Sequence, residues 1–337
     1  MPELSLGRAV DRAIEDAMAK DPSIVLIGED APMLRAPLFA RFGANRVLAA
    51  PISESAFFGA AAGAAMAGLR PVVELYMVDF IAVAFDAVLN HIAKLEGFSG
   101  GGWKAPLVIR APSGAWYGDG GQHGQSLWGT LASIPGLAVV VASTPADAYG
   151  LMTTALSHDG PVIFMEPKLL SEEWLEFLGS GGRDTVTFDV PAEGAKAQVP
   201  VSPHTVPFGK AALRRDGSDV TIVSVAVGVH RALEAAAKLE GNGVTCEVID
   251  LRSLRPLDVE TVVGSVTKTG RLLVVDEDYR EFGLAGEMAA ICLEAALSPR
   301  FARVCVEDTI PYARRLEDAA LPNVNRIVEA ATLLVDA

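Results

Sequence analysis

Apolar runs of four to eight residues recur along the chain, and stretches with helical spacing separate them. "SIVLIGED" (23–30), "RPVVELY" (70–76), "APLVIRAP" (105–112), "GLAVVVAS" (136–143) and "GPVIFME" (160–166) read as strands covered on both faces. Ser5 can cap a helix that carries Val10, Ile14, Ala17 and Met18 on one face. A helix rich in Ala and Gly follows Ser53 and runs to Gly68. Another spans Asp79 to Leu95, with Phe85, Val88, Leu89 and Ile92 inward. "PADAYGLMTTALS" (145–157) is a helix with Pro in its first turn. Residues 171–205 break the rhythm: "GSGGRD" and "VPAEGAKAQVPVSPH" are rich in Gly, Pro and Ala and have no period. The alternation then resumes with strands "SDVTIVSVAV", "VTCEVIDL", "GRLLVVDE" and "RVCVED" and helices between them. The pattern predicts an α/β protein of two domains, 1–175 and 205–337. Each is a mostly parallel sheet with helices on both faces, and 176–204 is a linker or surface excursion.

The chain has 337 residues, half of them hydrophobic and 21% charged, which suits a globular protein with a large core. Lys and Arg number 28 against 42 Asp and Glu, for a net charge of −14. Such a surface repels nucleic acid and anionic lipid. The most apolar window, Phe57 to Leu69, is too short to span a bilayer. The start, "MPELSLGRAVDR", carries no apolar signal region, so a cytoplasmic protein is expected. Cys246, Cys292 and Cys305 are odd in number and lack CxxC spacing. They read as reduced buried thiols.

In open α/β sheets ligands bind beyond the carboxyl ends of strands. Those ends carry Gly28-Glu29-Asp30, Ser53-Glu54 and a glycine-rich loop that holds His123. On spacing alone, Glu54 reads as an acid in the first turn of a helix, favoured by the dipole. His123 reads on the same basis as a structural or solvated loop histidine. His158 and His230 look like ordinary helix-end residues. The Gly118-Asp119-Gly120 triplet resembles the start of the magnesium and diphosphate motif of thiamine diphosphate enzymes, which an Asn about 25 to 30 residues later completes. No Asn lies between Asn90 and Asn242, so the hard-oxygen cage stays incomplete and the triplet reads as a turn. There is no GxxxxGK[ST], and no GxGxxG between a strand and a helix.

Several motifs together resemble a known family: "GED", "PISE", "GAAAGAAMAGLRPVVE", "DF", "GQHGQS", "IPGL", "PVIFMEPKLL", "GSDVTIVS" and "VIDLRSLRPLD". The chain is similar to the beta subunit of thiamine diphosphate-dependent 2-oxo acid dehydrogenases, and acetoin dehydrogenase has a subunit of the same type. The resemblance implies a transketolase-like pyrimidine-binding domain followed by a transketolase C-terminal-like domain. It implies that Glu54 hydrogen-bonds a ring nitrogen of the cofactor's aminopyrimidine, that Phe80 packs on that ring and that His123 serves proton transfer or substrate binding. Glu29 and Asn90 would stand close by. It further implies an alpha subunit that supplies Mg²⁺ and the diphosphate site in an α2β2 heterotetramer, and a lipoyl acyltransferase core as acyl acceptor. The substrate would be a small 2-oxo acid, with pyruvate favoured and acetoin the alternative. Family members often hold potassium on backbone carbonyls, here matching Leu107, Ala155, His158 and Gly160. The acids Asp276, Glu277, Asp278 and Glu281 are expected to dock the basic subunit-binding domain of the core.

The sequence also departs from the family. "APMLRAPLFARFG" is shorter than the usual loop, Gly124 stands where Ser is usual, and "DEDYREFGLAGE" differs from the usual glycine-rich turn. Two rivals have distinct marks. A single-chain transketolase-like enzyme would need its diphosphate motif within this chain, and a non-catalytic assembly partner would have no use for Glu54, Phe80 and His123 together.

Overall fold

A computed structural model describes residues 1–171 and 189–336. Strand β1 (Glu3–Ser5) leads into the first helix, where the Ser5 hydroxyl accepts from Arg8 N at 3.3 Å. Leu6–Met18 then buries Val10, Ile14 and Met18 on one face. The chain alternates through β2 (Ile24–Glu29), β3 (Val47–Ala50), β4 (Arg70–Glu74), β5 (Val108–Ser113), β6 (Ala138–Val141) and β7 (Val162–Pro167). β8 (Lys196–Gln198) follows, and then β9 (Ala212–Arg215), β10 (Val220–Ser224), β11 (Cys246–Asp250), β12 (Ser253–Arg255), β13 (Arg271–Tyr279) and β14 (Arg300–Val306).

Two large sheets result. The seven-stranded sheet has the order β12-β6-β7-β5-β4-β2-β3, parallel except for β12, which lies antiparallel on β6. The five-stranded sheet has the order β14-β13-β10-β11-β9, parallel except for the edge strand β9. This is the two-domain α/β architecture that the alternation predicts. β12 is the exception to a clean division, because it belongs by position to the second half and by hydrogen bonds to the first sheet. An apolar core also crosses the boundary and joins Phe58, Trp128 and Leu131 to Ile249, Leu272 and Ala285. Within the expected linker, β8 pairs antiparallel with β1, while 176–188 lie outside the described residues. Among the described residues no helix is long and apolar enough to cross a membrane.

One predicted helix is broken. In place of a regular helix from Asp79 to Leu95 there is a 3-10 turn at Val78–Ala82 and a π-helical turn at Ala87–Ile92. The reason is a tertiary anchor. Asp79 is buried and accepts from Gln125 N and Gln125 Nε2, at 3.2 and 2.9 Å. Periodicity cannot register such an anchor. The three cysteines are buried and free. Burial pushes the Cys246 thiol up to about 11 and the Cys305 thiol up to about 12.

The acids expected to form a docking patch are not on the surface. Asp276, Glu277 and Asp278 are 0%, 3% and 5% exposed, and only Glu281 faces solvent. They follow an apolar strand run, as exposed strand-end acids do, but the first domain covers them. Asp276 accepts from Trp128 Nε1 (2.8 Å), Glu277 from Trp116 Nε1 (2.9 Å) and Asp278 from Gly129 N (2.9 Å). Glu277 also accepts from Gly228 N at 2.7 Å. These carboxylates therefore tie the two domains together.

Candidate active site at the strand ends

Five adjacent strands of the first sheet, β3, β2, β4, β5 and β7, each send one notable side chain past their carboxyl ends. Glu29 ends β2, Glu54 opens the helix Glu54–Met66 after β3, and Phe80 follows β4. His123 lies in the loop after β5, and Lys168 directly follows β7. Parallel pairing puts all five ends at one edge of the sheet, so side chains far apart in sequence converge.

Glu54 is 8% exposed, and its carboxylate has no hydrogen-bond or ion-pair partner among the described residues. Its oxygens are not among the sealed side-chain atoms that lack a partner, so the carboxylate is open to a donor from outside the chain. Glu29 feels it: burial first, then the charges of Asp30 and Glu54, raise the Glu29 carboxyl above its ordinary range. The same burial, with Asp30 and Glu29, raises the Tyr76 phenol. The Phe80 and His123 rings meet edge to face, with centroids 5.7 Å apart at 85°. Phe80 is half-buried and His123 is partly accessible.

The His123 loop is pinned at several points. His123 O accepts from Tyr117 Oη at 2.5 Å and from Lys168 Nζ. Gln125 is held by Asp79, and Gln125 Oε1 accepts from Tyr279 Oη of the second domain at 3.0 Å. Gly118-Asp119-Gly120 is an irregular loop segment that bends at Gly118 ahead of the turn itself at 121–123, with φ at +76° for Gly118 and +71° for Gly120. It wraps the buried carboxylate of Glu317, which accepts from Gly118 N (2.9 and 3.1 Å) and Trp116 N (3.0 Å). Gly124 has a steric reason to lack a side chain, since a Cβ there would stand 2.9 Å from Gly120 O and 3.2 Å from Ala115 Cβ.

Asn90 is not part of this convergence; it is exposed and donates to Asp86 Oδ1 at 2.7 Å. Of the carbonyls matched to potassium, Leu107 O accepts from Val162 N (3.0 Å) and Ala155 O from His158 N (3.1 Å). His158 O accepts from Arg70 at 2.5 Å, and Arg70 also donates to Leu156 O at 3.0 Å. A guanidinium therefore already serves part of that carbonyl cluster.

Lys168, Asp79 and Gln125 were not singled out from the sequence. The available signals were a lysine between apolar residues in "FMEPKLL" and an acid directly before Phe80. A cavity of about 1100 Å³, lined by Trp128, Arg255, Phe282 and Glu287 among others, lies at the domain boundary and contains none of the five groups. Chemistry, not volume, marks the strand-end face.

The chain belongs to the transketolase family. The family model "Transketolase, pyrimidine binding domain" matches residues 3–172, and "Transketolase, C-terminal domain" matches 209–327. Within that family its relatives are beta subunits of heteromeric oxidoreductases. It is 38% identical to the beta subunit of acetoin:2,6-dichlorophenolindophenol oxidoreductase of Cupriavidus necator, over 98% of this chain and 96% of that one. It is 36% identical to the subunit of the same name in Bacillus subtilis, over 98% and 97%. It is 37% identical to the pyruvate dehydrogenase E1 component subunit beta of Rickettsia conorii, over 97% of each chain. A solved structure titled "Split gene transketolase, inactive beta4 tetramer" shares the fold, with a TM-score of 0.77, 22% identity and coverage of 99% and 98%.

This family depends on thiamine diphosphate. The residues present fit the pyrimidine half of that group. Glu54 offers a carboxylate without a partner among the described residues, and Phe80 offers an aromatic ring past the same edge of the sheet. The Gly-Asp-Gly segment does not fit the diphosphate half, because its first amide, Gly118 N, is turned onto the Glu317 carboxylate and no Asn follows at the required distance.

Proposed function

We propose that this chain is the pyrimidine-side subunit of an enzyme that oxidatively decarboxylates a small 2-oxo acid, pyruvate above others, and passes the acyl group to a lipoyl acyltransferase core. The observation that carries this reading is Glu54, a largely buried acid with no hydrogen-bond partner among the described residues, which lies past the same sheet edge as the paired rings of Phe80 and His123. When bound, thiamine diphosphate supplies the nucleophilic thiazolium carbon and the electron sink for decarboxylation. Glu54 would accept a hydrogen bond from the aminopyrimidine ring and stabilise a proton there, the more strongly once the bound ring excludes water. Phe80 packs on that ring and keeps water from it. His123 moves a proton near the reacting carbon or binds the substrate carboxylate. Glu29 adds a negative field that favours a protonated pyrimidine.

A separate alpha subunit completes the site in an α2β2 assembly, supplying Mg²⁺ ligands and diphosphate contacts. A potassium ion at Leu107, Ala155, His158 and Gly160 would share its carbonyls with Arg70; thermal stability in potassium against choline salts measures that part. A second reading takes acetoin as substrate, and relatives of that name at 38% and 36% identity support it. The test is reconstitution with an alpha subunit that carries the Gly-Asp-Gly-to-Asn motif, followed by assays with pyruvate, a branched 2-oxo acid and acetoin. Pyruvate is expected to give the highest kcat/KM. Turnover of acetoin alone replaces the first reading with the second, and no turnover of any of them overturns both.

A further inference from the structure

Lys168 is 1% exposed, and a buried ammonium is retained only where its surroundings repay lost hydration. Its surroundings are specific. Nζ lies 4.8 Å from the centre of the Tyr117 ring and donates to His123 O. Three carboxylates face it from three separate segments: Asp79 after β4, Asp119 in the Gly-Asp-Gly stretch and Glu317 on the helix Arg314–Ala320. Glu317 is also paired with Arg314 at 2.6 Å. The carbonyl that Lys168 grips is the one Tyr117 Oη also grips. Asp79, a member of the same charge cluster, fixes Gln125 two residues further on. Asp79 also directly precedes Phe80. The two rings that meet at 5.7 Å are thus mounted on segments tied to one buried charge cluster.

We infer that Lys168 is a positioning residue for His123: with Tyr117 it fixes the His123 carbonyl, and through it the stance of the imidazole against Phe80. The inference rests on the reading of His123 given above. Lys168 never needs to meet substrate, because it is sealed behind the loop. Its charge state nevertheless matters. Burial brings its amine down to about 8, against the opposing pull of Asp79, Asp119 and Glu317. Below that value an ammonium makes a charge-assisted bond to the carbonyl; above it a neutral amine holds the loop less firmly.

The experiment uses the complex reconstituted with its alpha subunit and compares Lys168→Met, His123→Ala and the double variant. Lys168→Met keeps the aliphatic stem and removes donor and charge. It is expected to lower kcat on the order of 10- to 100-fold, as misplacement of a reacting group does, with KM changed less than about threefold by the same argument. The double variant is expected to be no slower than His123→Ala alone, since Lys168 acts through His123. The alkaline limb of wild-type kcat, near pH 8, should be missing in Lys168→Met. If Lys168→Met does not assemble, Tyr117→Phe performs the same test, because it removes the second donor and keeps the ring; its smaller loss should also vanish in the His123→Ala background. Losses that multiply in the double variants, or an alkaline limb unchanged in Lys168→Met, overturn the positioning role alone. Wild-type kcat in His123→Ala overturns the reading of His123, and this inference with it.

Discussion

At the scale of single residues, the first domain ranges from a dense buried ion-pair cluster to a strand-end carboxylate with no partner among the described residues. Arg110 is fully buried, yet it meets Glu166 at 2.7 Å, Asp11 at 2.6 Å and Glu74 at 3.1 Å. Glu54, nearly as buried, meets no donor among the described residues. Glu54→Gln preserves shape and removes the charge that would stabilise a protonated pyrimidine. In the reconstituted complex it should cut kcat by about 100-fold or more while the subunits still co-elute on size exclusion. A variant with normal assembly and near wild-type turnover would return Glu54 to the role of a helix-start acid. Glu54, Phe80 and His123 were singled out through the family resemblance of their short motifs, since spacing alone reads as a helix-start acid and a loop histidine. Lys168 and Asp79 were not, because a lone charge in an apolar run gives no sign of what will surround it. The acids 276–278 were misread for a related reason: a strand that runs into carboxylates looks the same in sequence whether water or another domain receives them.

Among elements, the regular strands and helices were legible in proportion to their length. β2, β4, β5, β7, β10 and β11 carry apolar runs that the eye finds at once. β3, with four residues, and β12, with three, are too short to show a period, and β12 pairs with β6, far away in sequence. The fit between neighbouring strands is also invisible in a pattern. Gly28 on β2 faces Glu74 on β4, and a Cβ there would fall 2.5 Å from Glu74 O and 2.6 Å from Glu74 Cβ. Glu74 in turn holds Arg35 at 3.0 Å and Arg110. Gly28→Ala must push the two strands apart or twist Glu74 from its partners. It should lower stability by about 1–3 kcal/mol, as overpacking does, read as a lower urea midpoint. An unchanged midpoint would mean that β2 and β4 separate more freely than their pairing implies.

For the whole molecule, two properties depend on parts that no single element holds. The first is cofactor affinity: the proposed site holds only the pyrimidine side, and the Gly118 amide of the Gly-Asp-Gly segment is spent on Glu317. Calorimetry of the purified chain with thiamine diphosphate and Mg²⁺ should therefore detect at most weak binding, and a micromolar affinity without a partner would favour the single-chain rival. The second is the response of the domain interface to pH. Burial first, and the neighbouring Asp278 next, pushes Asp276 up to about 7, and burial pushes Glu277 to about 7, from ordinary values of 3.8 and 4.5. Between those limits the folded chain holds protons that the unfolded chain has already released. The contribution of these two acids to stability should thus fall as pH rises from about 4 to about 7 and level off above. Asp276→Asn fixes the neutral form and should flatten part of that slope in denaturation curves at pH 5 and pH 8; an unaltered slope would remove Asp276 from the account. β12 has a consequence of another kind, one of timing. β6 is finished at Val141, but the strand that covers its outer edge ends at Arg255. A ribosome adding roughly 5–20 residues per second needs on the order of ten seconds to cross that gap. Throughout that interval the newborn first sheet carries a bare row of amides and carbonyls along β6, the kind of edge on which neighbouring nascent chains on one messenger can pair by mistake.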